Sequence, residues 1–282
     1  MTGAIDHLGL HARLTPDRLA ARDLTQGRQW TYADLDRATA RCAGALAARG
    51  VGVGDRVASL AKNRVGLAML HLACARLGAI YVPLNWRLSP AEIAALVEDC
   101  DPRLICGDAA LDAAGLNGIG LDALEDEVEH AAPHPLAPTE PDRPSLILYT
   151  SGTSGRPKGV LLSERNLTET AINFSMLGEV THDSRFLCDA PMFHVIGLVA
   201  NIRPALMRGA AFLVSDGFVP ARTLERLGDP ALGVTHYFCV PQMAAALRAE
   251  PAFDPARLEG LTAIFTGGAP HPAASIRAWL DD

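Results

Sequence analysis

Short apolar runs alternate along the chain with longer segments in which apolar residues recur every three or four positions. The first pattern is typical of buried strands and the second of helices that pack on a sheet. Arg56 to Leu60 shows the strand pattern, and the segment 66–77 shows the helix pattern. This alternation predicts an α/β protein with parallel, doubly wound sheets. Strands are predicted over 56–60, 79–83, 103–106, 146–149, 160–162, 185–190, 210–214, 234–240 and 261–266, and helices over 31–48, 66–77, 90–98, 163–176, 197–207, 242–249 and 273–280.

Local sequence marks several helix ends. Thr31 and Asp34 have the spacing of a capping box, so a helix is expected to begin there. Ser163 is a good N-cap for the helix that follows it. Gly78 suits the left-handed conformation in which many helices end. These signals indicate boundaries that agree with the apolar pattern.

A loop rich in glycine and hydroxyl side chains is the most informative segment. Residues 146–160 read LILYTSGTSGRPKGV, so the loop lies between two predicted strands. Glycine lets the backbone approach a ligand closely, and successive N–H groups in such a loop can surround an anion. Lys158 adds a positive charge suited to phosphate oxygens. We predict a polyphosphate site formed by Thr150, Ser151, Gly152, Thr153, Ser154, Gly155 and Lys158.

Two other loops follow predicted strands, at the edge where open α/β sheets bind ligands. Residues 191–198 read PMFHVIGL, and their His194 is either a substrate contact or a histidine packed at a helix start. Residues 266–270 read TGGAP, and their glycines either let the backbone lie against a ligand or form an ordinary turn. The sequence therefore offers three loops as candidate parts of one site.

Composition narrows the class of protein. The chain has 282 residues, a hydrophobic content of 49% and a formal net charge of −7, which argues against nucleic acid or an anionic membrane as the main partner. Its six cysteines form no CxxC pair, so a zinc site or a disulfide framework is not expected. The N-terminal residues lack the apolar region of a signal peptide, and no membrane span is predicted, so we expect a cytoplasmic location.

The segment from Tyr149 to Val160 closely resembles the signature loop of the adenylate-forming superfamily, which includes acyl-CoA synthetases, aryl-CoA ligases and firefly luciferase. The resemblance covers nearly the whole chain and implies ATP binding, Mg²⁺, activation of a carboxylic acid as an acyl-adenylate, and transfer to coenzyme A. It also implies the N-terminal core of such an enzyme, built from two packed, doubly wound α/β subdomains. One subdomain would hold about 53–180, and the other about 10–52 plus 181–282.

The resemblance also implies roles for the three loops. Lys158 and the neighbouring hydroxyls would hold the departing β- and γ-phosphates, and His194 would line the acyl and nucleotide site. No acid follows Phe193, where amino-acid-activating relatives place an aspartate, so a non-amino acid is the expected substrate. Apolar neighbours, namely Val195, Ile196 and Leu198, favour a fatty or aryl acid. Gly267, Gly268, Ala269 and Pro270 would flank the adenine and wall the acyl pocket.

The chain ends before several motifs that the family uses. Only 12 residues follow Pro270, and the family's magnesium-binding glutamate, ribose-binding aspartate and C-terminal catalytic lysine are not among them. We therefore expect a truncated part of a longer enzyme, with little or no complete turnover of its own. The alternatives are a non-catalytic nucleotide- or acyl-binding module of the same fold, and a ligase that passes the acyl group to a carrier protein. A P-loop phosphotransferase is disfavoured because the Walker spacing is missing.

Overall fold

Two six-stranded sheets organise the structure, a computed structural model that describes residues 4–135, 140–150 and 158–281. The strands in these ranges are β1 (Leu19–Asp23), β2 (Arg28–Thr31), β3 (Arg56–Leu60), β4 (Ile80–Pro83), β5 (Leu104–Gly107), β6 (Ile119–Gly120), β7 (Pro144–Thr150), β8 (Lys158–Ser163), β9 (Arg185–Cys188), β10 (Ala211–Val214), β11 (His236–Cys239) and β12 (Ala263–Thr266).

Helices connect most of these strands and cover the sheets. The α-helices are α1 (His7–Leu14), α2 (Tyr32–Ala48), α3 (Val65–Leu77), α4 (Pro90–Cys100), α5 (Ala110–Ala113), α6 (Leu121–His130), α7 (Glu164–Leu177), α8 (Ile202–Arg208), α9 (Pro220–Leu227), α10 (Pro241–Ala249) and α11 (Ala273–Asp281). A π-helix spans Ile196–Ala200, and a 3₁₀-helix spans Pro255–Leu258.

The first sheet has the strand order β6-β5-β3-β4-β7-β8. Its strands run parallel except for β8, which pairs antiparallel with β7 at the sheet edge. The last pair of that ladder joins Thr150 to Lys158. The glycine loop therefore connects two strand ends that face each other across a hairpin.

The second sheet has the order β12-β11-β9-β10-β1-β2. It is parallel from β12 to β1, and β2 pairs antiparallel with β1. The mixed α/β architecture with two mainly parallel sheets confirms the predicted fold class. Strands of the first sheet all lie between 56 and 163, and strands of the second lie between 19 and 31 and between 185 and 266. The division into subdomains at about 53 and 180 remains our proposal.

The two sheets share one hydrophobic core. That core contains Val57 and Tyr81 from the first sheet together with Phe186 and Phe212 from the second. Helices α2, α3 and α8 contribute residues to the same cluster. The fully buried Tyr32 donates a hydrogen bond from its hydroxyl to the carbonyl of Ala210, 2.7 Å away, so its one polar atom is satisfied inside the core.

The predicted helix ends agree with the structure. Thr31 caps α2 through a reciprocal capping box with Asp34, and Ser163 caps α7 through one with Asn166. Gly78 ends α3 at φ 74°, a conformation that costs glycine little and other residues more. In each case a hydrogen-bonding side chain or a glycine satisfies a local backbone requirement, which is why sequence alone located the boundary.

One predicted helix is divided. The sequence indicates a single helix over 197–207, whereas the structure has a π-helix at Ile196–Ala200 followed by α8. The side chain of the buried Asn201 donates to the carbonyl of Ile196 at 2.7 Å, which occupies an acceptor that a regular helix would use for a backbone N–H. This wider turn begins two residues after His194.

All six cysteines are buried and unpaired. Among the residues that the structure describes, no helix is both long enough and apolar enough to cross a membrane.

Candidate functional site

The carboxyl edges of the two sheets lie next to each other. Asn63, which follows β3 of the first sheet, hydrogen-bonds the backbone of Ala190 and Met192, which follow β9 of the second. Strands β4 and β7 run parallel to β3, so the end of β7 lies on the same edge. Ligands of open α/β sheets bind at such edges, which makes this junction the candidate site.

The predicted phosphate loop begins and ends at this edge. Thr150 and Lys158 are exposed and occupy opposite positions in the β7–β8 ladder. Ser151, Gly152, Thr153, Ser154 and Gly155 lie outside the described residues, so their predicted contacts remain predictions. Thr150 and Lys158 form the base of the hairpin, and Lys158 is exposed to solvent there.

Tyr149 anchors the hairpin to the rest of the first sheet. Its hydroxyl donates to a carboxylate oxygen of Asp99 in α4 at 2.5 Å, and burial together with this neighbouring charge raises the pKa of the tyrosine. On the facing strand, a side chain at Gly159 would approach Ile147 to 3.0 Å and the Tyr149 ring to 3.4 Å. The last residues before the loop are therefore held against α4.

His194 stands at the end of a tight turn after β9. Its N–H donates to the carbonyl of Pro191 at 3.1 Å, and its own carbonyl accepts from Leu198 at 3.1 Å. Phe193 is buried, whereas His194 is exposed, with its ring centroid 4.6 Å from that of Phe193. The turn thus buries the aromatic residue and presents the histidine.

The environment favours the neutral form of His194. Desolvation lowers the pKa of its imidazole, and the charge of Arg87 lowers it further. The Arg87 guanidinium lies 5.8 Å from the centre of the Phe193 ring. A neutral imidazole can donate one hydrogen bond to a carboxylate without exchanging a proton with it.

The loop after β12 meets the segment that carries His194. Gly267 donates its N–H to the carbonyl of Cys239 at 3.3 Å. Gly268 has φ 85°, and a side chain there would lie 3.6 Å from Ile196 and 3.4 Å from Val240. The structure therefore brings Gly268 next to the residue two positions after His194. Ala269 and Pro270 are exposed at the end of this loop.

Sequence reasoning missed three residues at the junction. Asn63 follows β3, and Trp86 and Arg87 follow β4, so their place at carboxyl strand ends was the signal that could have identified them. Arg87 lies 5.1 Å from the centre of the Trp86 ring, and Lys62 lies 5.7 Å from it. Lys62, Trp86 and Arg87 form an aromatic and cationic rim beside His194.

Mg²⁺ that accompanies a nucleotide is usually held by one or two carboxylates together with phosphates and water, so it needs no preformed cluster of protein ligands. Within the ranges 4–135, 140–150 and 158–281, no three His, Cys, Asp or Glu side chains are grouped so that they could hold a metal ion.

Two β-sheets with adjoining carboxyl edges, one of which carries a glycine-loop hairpin, define an α/β protein with a candidate ligand site between its sheets. Comparison with known proteins makes the class specific: a match to the AMP-binding enzyme family covers residues 10–282. The chain belongs to this family of adenylate-forming enzymes, as the signature loop indicated.

Individual relatives agree with the family match. Feruloyl-CoA synthase from Amycolatopsis sp is 35% identical over 280 residues, which cover 96% of this chain and 55% of that protein. The inhibitor-bound N-terminal domain of FACL13 from Mycobacterium tuberculosis matches with a TM-score of 0.90 at 29% identity, covering 100% of this chain and 73% of that one.

A third relative is captured with its reaction intermediate. The o-succinylbenzoate CoA synthetase from Bacillus subtilis, in complex with an acyl-adenylate, has a TM-score of 0.86 and 28% identity, and the match covers 99% of this chain and 56% of that one. This chain therefore spans little more than half of the length of two of these relatives. The activity of a whole enzyme is accordingly a proposal for this protein.

Proposed function

We propose that this chain supplies the ATP- and acid-binding core of a ligase that activates a carboxylic acid as an acyl-adenylate and passes it to coenzyme A. The observation that carries the proposal is the pair of hydrogen bonds from Asn63 to Ala190 and Met192. These bonds hold the carboxyl edge of the first sheet, where the glycine loop begins, beside the turn that bears His194. The family match supports the same chemistry. The relatives include a feruloyl-CoA synthase and a synthetase bound to its acyl-adenylate.

The proposed first step is an in-line displacement. A carboxylate oxygen of the acid attacks the α-phosphorus of ATP, the bond from that phosphorus to the bridging oxygen breaks, and pyrophosphate leaves with the electron pair. Catalysis of such a step consists mainly of positioning and charge stabilisation. Lys158 and Thr150 would hold the departing phosphates together with Ser151 and Thr153, with the loop glycines, among them Gly152 and Gly155, letting the backbone approach.

His194 would position the acid. Its lowered pKa keeps the imidazole neutral near pH 7, so it would donate a hydrogen bond to the carboxylate while the carboxylate keeps its charge for attack. Gly267 and Gly268 would let the backbone lie against the nucleotide base. In the second step the sulfur of coenzyme A attacks the acyl carbon, the thiol proton goes to solvent, and AMP leaves.

The surroundings of His194 support a non-amino acid. Asp189, the acid nearest in sequence, is buried and accepts hydrogen bonds from the hydroxyls of Thr223 at 2.5 Å and Tyr237 at 3.0 Å. Because Asp189 is buried and already paired with two hydroxyls, it is not presented to a substrate, and a buried ammonium without a partner is costly. Ile196 and Val240 beside Gly268 form an apolar wall, which favours an aryl or fatty acid.

Exchange of labelled pyrophosphate into ATP tests the proposal. The complete gene product, assayed with a panel of aryl and fatty acids, should show exchange that depends on the acid, and coenzyme A should then yield a thioester. Residues 1–282 alone should show little or none. Exchange with amino acids only would contradict the proposed substrate class. A lack of exchange with every acid would contradict the proposed reaction.

Lys158→Ala should lower the rate of pyrophosphate exchange strongly, on the order of 10²-fold, because the developing charge on pyrophosphate loses a cationic partner. Arg37→Ala is the matched control, since it removes an exposed cation of α2 whose partner is Asp34 in the same helix. This control should exchange at the normal rate. Equal rates for the wild type and Lys158→Ala would remove Lys158 from the site.

A further inference from the structure

One buried amide joins the two sheets at the site. The side chain of Asn63 is buried, and both ends of its carboxamide are used. Its Nδ2 donates to the carbonyl of Ala190 at 2.8 Å, and its Oδ1 accepts from the N–H of Met192 at 2.9 Å. An amide is the side chain that offers one donor and one acceptor side by side in this way.

These two bonds span Pro191, which has no N–H of its own. Asn63 thus pairs with the turn as a neighbouring strand would, and it fixes the two peptide units on either side of Pro191, just before Phe193 and His194. On another side of the turn, Gly197 leaves no room for a shift, because a side chain there would lie 2.3 Å from the carbonyl oxygen of Pro191. The turn is therefore held from two directions.

Asn63 is itself held in place from the second sheet. The buried carboxylate of Asp23, at the end of β1, accepts the N–H of Val65 at 3.0 Å. It also accepts from Thr25 and Gln26 at 3.0 and 2.8 Å. The short segment between β3 and α3 therefore contacts the second sheet in two places. Asp23 at the end of β1 binds the N–H that follows the segment, and Asn63 binds the turn after β9.

We propose that Asn63 is a positioning residue for His194. Asn63 sets the position of the His194 imidazole relative to the carboxyl edge of the first sheet, which carries the glycine loop. The proposal deepens the proposed function and rests on it for the catalytic consequence. In-line attack requires the acid and the phosphate to be aligned within a fraction of an ångström, and a misplacement of about 1 Å can cost on the order of 10²-fold in rate. A buried side chain that fixes the backbone next to His194 is well placed to control that alignment.

A spectroscopic test addresses the positioning itself. The complete gene product is prepared with isotope-labelled histidine, and the His194 ring signal is identified by its loss in His194→Gln. Asn63→Leu, which keeps the size of the side chain but removes both hydrogen bonds, should shift that signal and its titration midpoint. The signals of His71 and His236, which are buried elsewhere in the fold, should stay in place.

Val128→Ala is the control for general destabilisation. Val128 is a buried residue of α6 and belongs to the shared core, not to the turn. This variant should unfold at a lower temperature without moving the His194 signal. An unmoved His194 signal in folded Asn63→Leu, or the same movement in Val128→Ala, would overturn the proposal.

Kinetics then test the catalytic consequence. Asn63→Leu should lower kcat for pyrophosphate exchange about 10- to 100-fold with a much smaller effect on the KM for ATP. In the His194→Ala background the same change should cost less than about threefold, because residues that act through one another are not additive. Multiplicative losses would show that Asn63 does not act through His194. If the wild type shows no exchange, the proposed function fails, and the histidine spectrum still decides the positioning.

Discussion

At the scale of single residues, close backbone contacts fix the turn that carries His194. Gly197 packs against the carbonyls of Ala190 and Pro191, and a Cβ atom there would lie 2.6 and 2.3 Å from their oxygens. Contacts this short force the backbone to move, since the opposing atoms belong to the main chain and cannot rotate away. Glycine is required at this position for space, because its φ is not in the left-handed region.

Gly197→Ala should therefore destabilise the protein by about 1–3 kcal/mol, the range for overpacking a filled interior. It should also lower pyrophosphate exchange, because the turn must shift to admit the methyl group. Denaturant unfolding and the exchange assay measure the two effects. Gly120→Ala is the control, since nothing lies within 4 Å of the added atom there. Unchanged stability in Gly197→Ala would show that the turn is looser than the structure indicates.

The sequence marked His194 and Gly268 as candidates because each follows a predicted strand and lies in a segment that resembles the adenylate-forming enzymes. From spacing alone, a packed histidine and an ordinary turn fitted these positions as well. The structure places Gly268 beside Ile196, as one site requires. Asn63 also follows a strand, which could have marked it, but its contact with a turn 127 residues later in the chain could not be inferred from sequence. A lone asparagine carries no local pattern that reveals such a partner.

At the scale of elements, a buried ion pair joins the hairpin of the glycine loop to the helix that follows His194. Glu164 begins α7, directly after β8, and Arg203 lies in α8. Both side chains are at least nine-tenths buried, and the guanidinium donates to both carboxylate oxygens at 2.9 and 3.0 Å. Ser145 of β7 donates to the same carboxylate at 2.5 Å. The three elements are thereby tied together.

Glu164→Gln should destabilise the protein by about 3 kcal/mol, because Arg203 would remain as a buried charge without a counter-charge. The double variant Glu164→Leu with Arg203→Met should recover most of that loss, since it removes both charges and fills the space. Urea unfolding of the three proteins measures the difference. Asp142→Asn is the control, because it weakens only the exposed ion pair between Asp142 and Arg165, the residue after Glu164. Its free energy of unfolding should change little. A double variant as unstable as the single one would contradict this account.

The sequence predicted most elements that build the two sheets, but it missed the strands β1, β2 and β6 and the helices α1, α5, α6 and α9. The strand β1 reads LAARD, and its Asp23 is buried although an acid normally argues against a core strand. Three backbone N–H groups compensate the carboxylate, one of them from Val65 at the start of α3. The backbone groups that bind Asp23 could not be inferred from sequence, so β1 and its hairpin partner β2 were not predicted. The π-helix was missed because its cause, the Asn201 side chain, also fits a regular helix.

At the scale of the whole molecule, the shared core contains a histidine that must stay neutral. His71 in α3 is fully buried, and Arg203 donates to its Nε2 at 2.6 Å, which requires that nitrogen to carry no proton. Burial and the charge of Arg203 lower the pKa of His71 from 6.5 to about 3. Since the unfolded chain protonates this residue near pH 6.5, the unfolded state binds more protons between these two values.

The sign of the pH dependence follows from that difference. A histidine whose folded pKa lies below its unfolded value gives its full stability above pH 6.5 and loses it as the pH falls toward 3, by up to about 1.4 kcal/mol per pH unit. Glu164 behaves differently: burial opposes its ionisation, but the charge and hydrogen bonds of Arg203 lower its pKa from 4.5 to about 2. Its contribution therefore declines only below pH 4.5. Burial raises the pKa of Asp189 to about 6, so that carboxyl adds stability as the pH falls below 6 and opposes part of the loss from the histidines.

His71→Gln should flatten the fall in stability between pH 6.5 and 5, because glutamine can accept from Arg203 and has no proton to bind in that interval. The free energy of unfolding, measured in urea at several pH values, gives the slope for each protein. His182→Gln serves as the control, since His182 is exposed and should leave the slope unchanged. The half-buried His7 and the buried His236 also have lowered pKa values and should preserve part of the slope. A slope identical in the wild type and His71→Gln would mean that His71 takes up its proton in the folded state, and that the core shared by the two sheets admits a charge there.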